Sequence, residues 1–124
     1  LLSFTAIMHV PIEITSSLQA SATLQRHVET RLARLLRTYA GRIDRIRIRI
    51  SDANGPRHGA NDKVTHIHVG LRPTGQVFVH AAADNAHDSV NRAMARARAA
   101  VTRHVRRLSR AAPAVHNTPD SADV

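Results

Sequence analysis

The chain is 124 residues long, enough for one domain with one core, and its 43% hydrophobic and 22% charged residues make a globular composition, not a disordered one. Eighteen basic against nine acidic side chains leave a net charge of +9, which favours an anionic partner, nucleic acid ahead of an acidic membrane surface. Without cysteine there is no disulfide framework, thiolate zinc site or cysteine nucleophile, and no apolar run approaches the ~20 residues that span a bilayer.

Residues 1–7 have neither the basic flank nor the small-residue cleavage site of a signal peptide. They read as an N-terminal extension, and the cytoplasm is the expected compartment. Between Val10 and Thr15 the chain alternates around Ile12 and Ile14, a strand with Pro11 near its start. Ser21 is placed to cap the helix that follows. From Ala22 to Ala40 the apolar residues Leu24, Val28, Leu32, Leu35 and Tyr39 recur at helical spacing, and Gly41 stands where a helix C-terminus is usually closed.

The second strand is the cleanest. Ile46, Ile48 and Ile50 alternate with Arg45, Arg47 and Arg49, one face all isoleucine and the other all arginine. Residues 51–63 form a loop broken by Gly55-Pro56 and Gly59, long enough to be mobile. A third strand, Val64 to Arg72, places Thr65, Ile67, Val69 and Leu71 on one face and His66 and His68 on the other. A turn at Pro73-Thr74-Gly75 leads to a fourth, Gln76 to Ala83, with Val77, Val79 and Ala81 inward. If that turn pairs Leu71 with Val77, His68 lies across from His80.

Asp84 or Asp88 opens a long second helix that runs to about Arg110, with a core stripe of Val90, Met94, Ala97, Val101, Val105 and Leu108. The polar tail, 111–124, is expected to be disordered. The resulting order, β-α-β-β-β-α, is an α+β fold: a four-stranded sheet with both helices packed on its isoleucine face.

The second helix carries the strongest functional signal. Between Ser89 and Arg110 lie seven arginines, at 92, 96, 98, 103, 106, 107 and 110, and no acid. Arg92, Arg96, Arg103, Arg106 and Arg110 are offset by two residues from the core stripe, about 200° around the helix, and so face away from the core. Like charges at this spacing weaken an isolated helix, which points to a phosphate-binding face, not a merely solvated one. The first helix adds Arg26, Arg31, Arg34 and Arg37, a pattern that an ordinary amphipathic helix explains nearly as well.

On the open sheet face Arg45, Arg47 and Arg49 share space with His66, His68, Phe78 and His80. Three imidazoles could hold a metal, but no carboxylate accompanies them and the arginines oppose a cation, so a solvated or RNA-facing surface is the better reading. The three aromatics of the chain, Phe4, Tyr39 and Phe78, offer little material for a platform of stacked bases. There is no glycine-rich phosphate loop, paired carboxylates or nucleophile–base arrangement, so neither a catalytic residue nor a cofactor is expected.

The runs Ile14-Thr15-Ser16-Ser17 and Leu24 to Leu35 (LQRHVETRLARL) resemble the first strand and helix of the ribosome hibernation-promoting factors, a family that includes the ribosome-associated translation inhibitors and the sigma-54 modulation proteins. The resemblance covers residues 8–107 or so, with Met8 resembling the usual start. It implies a domain over 8–110 and a small bacterial protein of the stress response. Such a protein sits in the decoding region of the small ribosomal subunit, contacts its rRNA and blocks translation by occupation. Carried over by position, Arg31, Arg34 and Arg37 match basic positions on helix one, and Arg96, Arg103 and Arg107 match basic positions on helix two. Ser89-Val90-Asn91 resembles the family's Ala-Ile-Asp/Asn. The departures are His87 for a tyrosine, Ala97 for a leucine, Ala99-Ala100 for an Arg-Gln pair, and a longer 51–63 loop. No membrane, metal or small-molecule substrate is implied, and the chain is expected to be a monomer off the ribosome. Two other readings stay open: a regulatory domain that docks on an acidic protein, and a general binder of double-stranded RNA.

Overall fold

The structure is a computed structural model and describes residues 2–17, 22–52 and 62–111. Its elements are β1 (Leu2–Ile7), β2 (Val10–Ser16), α1 (Ala22–Tyr39), β3 (Ile43–Asp52), β4 (Lys63–Leu71), β5 (Gln76–Ala83) and α2 (Ala86–Ala111). The sheet has five strands in the order β1-β2-β3-β4-β5 where the sequence reading had four. All neighbours are antiparallel except β2 and β3, which run parallel on either side of α1. The added strand, β1, turns back onto β2 through Met8 and His9, both with positive φ (52° and 67°). Two-residue hairpins of this kind favour Asn-Gly or Asp-Gly, so Met-His carries no local signal for the turn.

The alternation seen in the sequence sets the register across the sheet. Ile14, Ile48, Ile67 and Val79 stand in one row, and Ile12, Ile46, Val69 and Val77 in the next. Both rows face the helices, and all eight are buried except Val79, which is partly so. Leu24, Val28, Leu32, Leu35 and Leu36 of α1 and Val90, Ala93, Met94, Ala97 and Val101 of α2 close over them in one core. Within that core one polar pair is fully satisfied. The Ser89 hydroxyl donates to the Ala86 carbonyl at 2.9 Å, so the Thr65 hydroxyl, 2.7 Å away, is the donor to Ser89.

Four details differ from the sequence reading. The turn between β4 and β5 takes up Leu71 to Gly75, closed by the Leu71 N–H donating to the Gly75 carbonyl at 2.9 Å. Val69 therefore pairs with Val77, and His80 lies across from His66, not His68. A slip of two residues keeps every side chain on its predicted face, which is why the core is unaffected. Helix α2 is capped by Asn85, not by Asp84 or Asp88. The Asn85 side chain accepts from the Asp88 N–H at 2.9 Å, as an N-cap does, and its amide also donates to the Asp88 carboxylate at 3.0 Å. Helix α1 tightens into a 3₁₀ turn over Ala40–Arg42 with no positive φ at Gly41. Ser21, residues 53–61 and the tail from 112 onward lie outside the described residues.

Candidate nucleic-acid interface

Two contacts fix α1 against α2 and so set the geometry of the helix layer. His27 Nε2 lies 2.8 Å from Asn91 Oδ1 at one end, and the Tyr39 and Thr102 hydroxyls are 2.5 Å apart at the other. Between them runs a groove of about 300 Å³ lined by Arg31, Arg34, Leu35, Met94, Ala95, Arg98 and Ala99. Ala95 and Ala99, one turn apart and without bulk, leave the floor open, and the three arginines stand around it. Arg98, part of the arginine run of the second helix but outside the set expected to bind RNA, joins the site through this groove. Its place on the α1 side of α2, one residue beyond Ala97 of the core stripe, is the signal that identifies it.

The opposite flank of α2 overlies the free edge of β5. Arg92 donates to the Ala82 carbonyl at 2.8 Å and Arg96 to the His80 carbonyl at 2.6 Å. The match is geometric: residues four apart on a helix rise about 6 Å, close to the ~7 Å between alternate residues of a strand. These two arginines therefore fold down over the sheet edge and do not point directly away from the core. Their remaining N–H donors still reach solvent. Arg103 follows on the same flank, beside a depression of about 330 Å³ that it shares with Arg96, Phe78 and His80.

Of the other predicted residues, Arg37 is exposed in the last turn of α1 and Arg106 and Arg107 are exposed in the second half of α2. The Arg110 side chain lies outside the described residues. Among the described residues, Arg31, Arg34, Arg37, Arg98, Arg103, Arg106 and Arg107 make no ion pair, whereas Arg47 on the open sheet face meets Glu13 at 3.2 Å. Guanidinium groups without carboxylate partners retain their full donor set for phosphate oxygens. Arginines so placed have the chemistry to meet phosphate oxygens, the type of contact that positions a nucleic acid without reading its bases.

On the other side of the sheet, His68 stacks on Phe78, with ring centroids 4.2 Å apart and 7° between planes, and His66 on His80 at 5.6 Å. The described residues contain no cluster of three or more His, Asp or Glu side chains placed to hold an ion, and no helix long and apolar enough to cross a membrane.

Residues 12–109 match the family described as sigma 54 modulation protein / S30EA ribosomal protein. No curated protein matches the chain. Among solved structures, the Protein Y N-terminal domain of Thermus thermophilus is 25% identical, with a TM-score of 0.61 over 73% of this chain and 93% of that one. A ribosomal subunit interface protein from Coxiella burnetii, 20% identical, has the same fold, with a TM-score of 0.62 over 75% and 94% of the two chains.

Proposed function

Because this chain belongs to the sigma 54 modulation protein / S30EA ribosomal protein family, we propose that it is a ribosome-associated hibernation factor. In this reading it occupies the decoding region of the small subunit and silences translation by occupation, without chemistry, in the cytoplasm. The observation that carries the reading is the helix layer: seven arginines without ion pairs, arranged around the α1–α2 groove and along α2. A broad field of fixed guanidinium groups suits folded rRNA, whose phosphates lie at many positions and whose bases are paired away. Arg31, Arg34, Arg37, Arg98, Arg103, Arg106 and Arg107 make the phosphate contacts, with Arg92 and Arg96 contributing from the sheet edge. The relative named as a subunit interface protein is consistent with a site between subunits.

Co-sedimentation with purified small subunits over a salt series tests the proposal. With about five to eight phosphates engaged, log K falls against log salt with a slope of roughly −4 to −7. Equal affinity for free duplex RNA and for subunits would instead support a general binder of double-stranded RNA. Binding that does not change with salt would remove the arginine surface from the argument.

A further inference from the structure

The open face of the sheet carries a second organised surface. Register places Glu13, Arg47, His68 and Phe78 in one row across β2 to β5, and Thr15, Arg49, His66 and His80 in the next. Each row runs from a cation on β3 to a ring on β4 and a ring on β5, with strands ~4.8 Å apart. Phe78 is 71% exposed on this face. Its ring is held parallel to His68, whose Nε2–H donates to Gln76 Oε1 at 2.6 Å, so the pair is oriented before any ligand arrives. Arg47, Arg49, His66, His68, Phe78 and His80 line a depression of about 260 Å³.

We propose that this face is a binding site for single-stranded RNA, with an unpaired base stacked on the Phe78–His68 pair and the adjoining phosphate held by Arg49. Every base has a π-face, and a ring fixed on a sheet is a sequence-tolerant platform for it. Histidine supplies the rings that the low aromatic content had seemed to deny. Arg49 has no ion pair among the described residues, while Arg47 is partly neutralised by Glu13. A second copy of the chain is a poor occupant, since like faces would bring arginine against arginine. The stacked pair lies on the sheet face opposite the α1–α2 groove, while Phe78 and His80 at the β5 edge also border the depression beside Arg96 and Arg103; the proposal does not rest on the ribosome reading.

Fluorescence anisotropy of the full chain with a labelled single-stranded oligoadenylate, a blunt RNA duplex and polyglutamate as competitor tests the site. Phe78→Ala is expected to weaken oligoadenylate binding about tenfold, and Phe78→Trp to preserve or strengthen it. Duplex binding and small-subunit co-sedimentation should stay within about twofold for both. Arg49→Gln should lower the salt slope for oligoadenylate by about one. Phe78→Leu keeps apolar bulk without a π-face and should behave as Phe78→Ala, which separates stacking from any loss of folding. Unchanged oligoadenylate affinity in both ring-free variants would overturn the proposal. So would an equal loss toward the duplex, or displacement by polyglutamate as effective as by RNA. Wild-type co-sedimentation in the same series reports on the ribosome reading separately, whatever the oligonucleotide result.

Discussion

The helix layer and the open sheet face are both positive, but they are built from different chemistry. On the helix layer seven arginines spread over two helices make no ion pair among the described residues, and the same helices carry His27, Glu29, His87 and His104, with the rings of His27 and His87 4.9 Å apart. On the sheet face three arginines stand beside three imidazoles and an exposed phenyl ring, and one of those arginines is paired to Glu13. The first surface offers guanidinium donors for phosphate oxygens around a groove floored by Leu35, Met94, Ala95 and Ala99. The second offers the parallel rings of Phe78 and His68 beside its arginines. Under the two proposals above, the net charge of +9 divides between two surfaces, the helices facing paired and folded RNA and the sheet facing unpaired RNA.

The largest effect comes from removing what the two surfaces share. Ile48 is fully buried in the third strand, between Ile14 and Ile67 in its row. Ile48→Ala should lower stability by about 2–5 kcal/mol through lost burial and the cavity left behind. In urea denaturation both binding activities should then disappear together at the lowered midpoint. Loss of one before the other would show that the two faces do not depend on one cooperative core.

The next variant divides the surfaces. Replacing Arg98, Arg103 and Arg107 together with glutamine should reduce the salt slope for small-subunit binding by about three, one for each phosphate contact. Replacing Arg45, Arg47 and Arg49 should leave that slope nearly unchanged and weaken oligoadenylate binding instead. Arg98 belongs in this set and Arg96 does not, because Arg96 is already bonded to the His80 carbonyl. Neither triple change touches the core, so thermal unfolding should confirm intact folds. If the sheet variant loses subunits and the helix variant keeps them, the rRNA lies on the open face and the assignment of the two surfaces is reversed.

The elements that specify these surfaces were legible in the sequence where they depend on period. Isoleucine alternation in β3 and the 3.6-residue stripe of α2 placed Ile46, Ile48, Ile50 and Val101 in the core as found. What was not legible depends on backbone paths that no periodicity encodes. Met8-His9 turns a hairpin without a turn signature, so β1 read as an extension. The length of the β4–β5 turn set which histidine faces His80, and the faces alone could not reveal a two-residue slip. The seven arginines of α2 were visible as a run, but a long flexible side chain can fold to either flank. Only the free carbonyls of β5 show why Arg92 and Arg96 bend toward the sheet.

That last contact gives a smaller prediction, one that separates structural arginines from RNA-binding ones within a single helix. Arg92→Met and Arg96→Met remove the donors while keeping the aliphatic stems. Each should lower stability by about 1 kcal/mol, the net contribution of a hydrogen bond that solvent can partly replace. Arg103→Met and Arg107→Met, which lose no such bond, should leave the denaturation midpoint in place while weakening subunit binding. Equal stability losses at all four positions would mean that the β5 edge contacts contribute nothing distinctive.

The smallest effect lies on the sheet face and concerns protons. The His66 pKa is lowered from 6.5, first by desolvation and then by the charges of His80 on β5 and Arg49 on β3. In the unfolded chain this imidazole takes up its proton at the ordinary value. Acidification from about pH 7 through the folded value therefore favours the unfolded state, and stability present above pH 6.5 is progressively lost. His66→Gln removes that linkage and should flatten the acid side of the stability curve slightly, read as urea midpoints at several pH values between 7 and 5. The effect is small because His66 remains largely exposed, so water screens much of the cost of its charge. The change Arg34→Gln on the helix layer should leave the shape of the pH curve as it was. Parallel curves for His66→Gln and the unmodified chain would show that protonation of the sheet face is not coupled to folding through this residue, leaving ring stacking and fixed charge as what distinguishes the two surfaces.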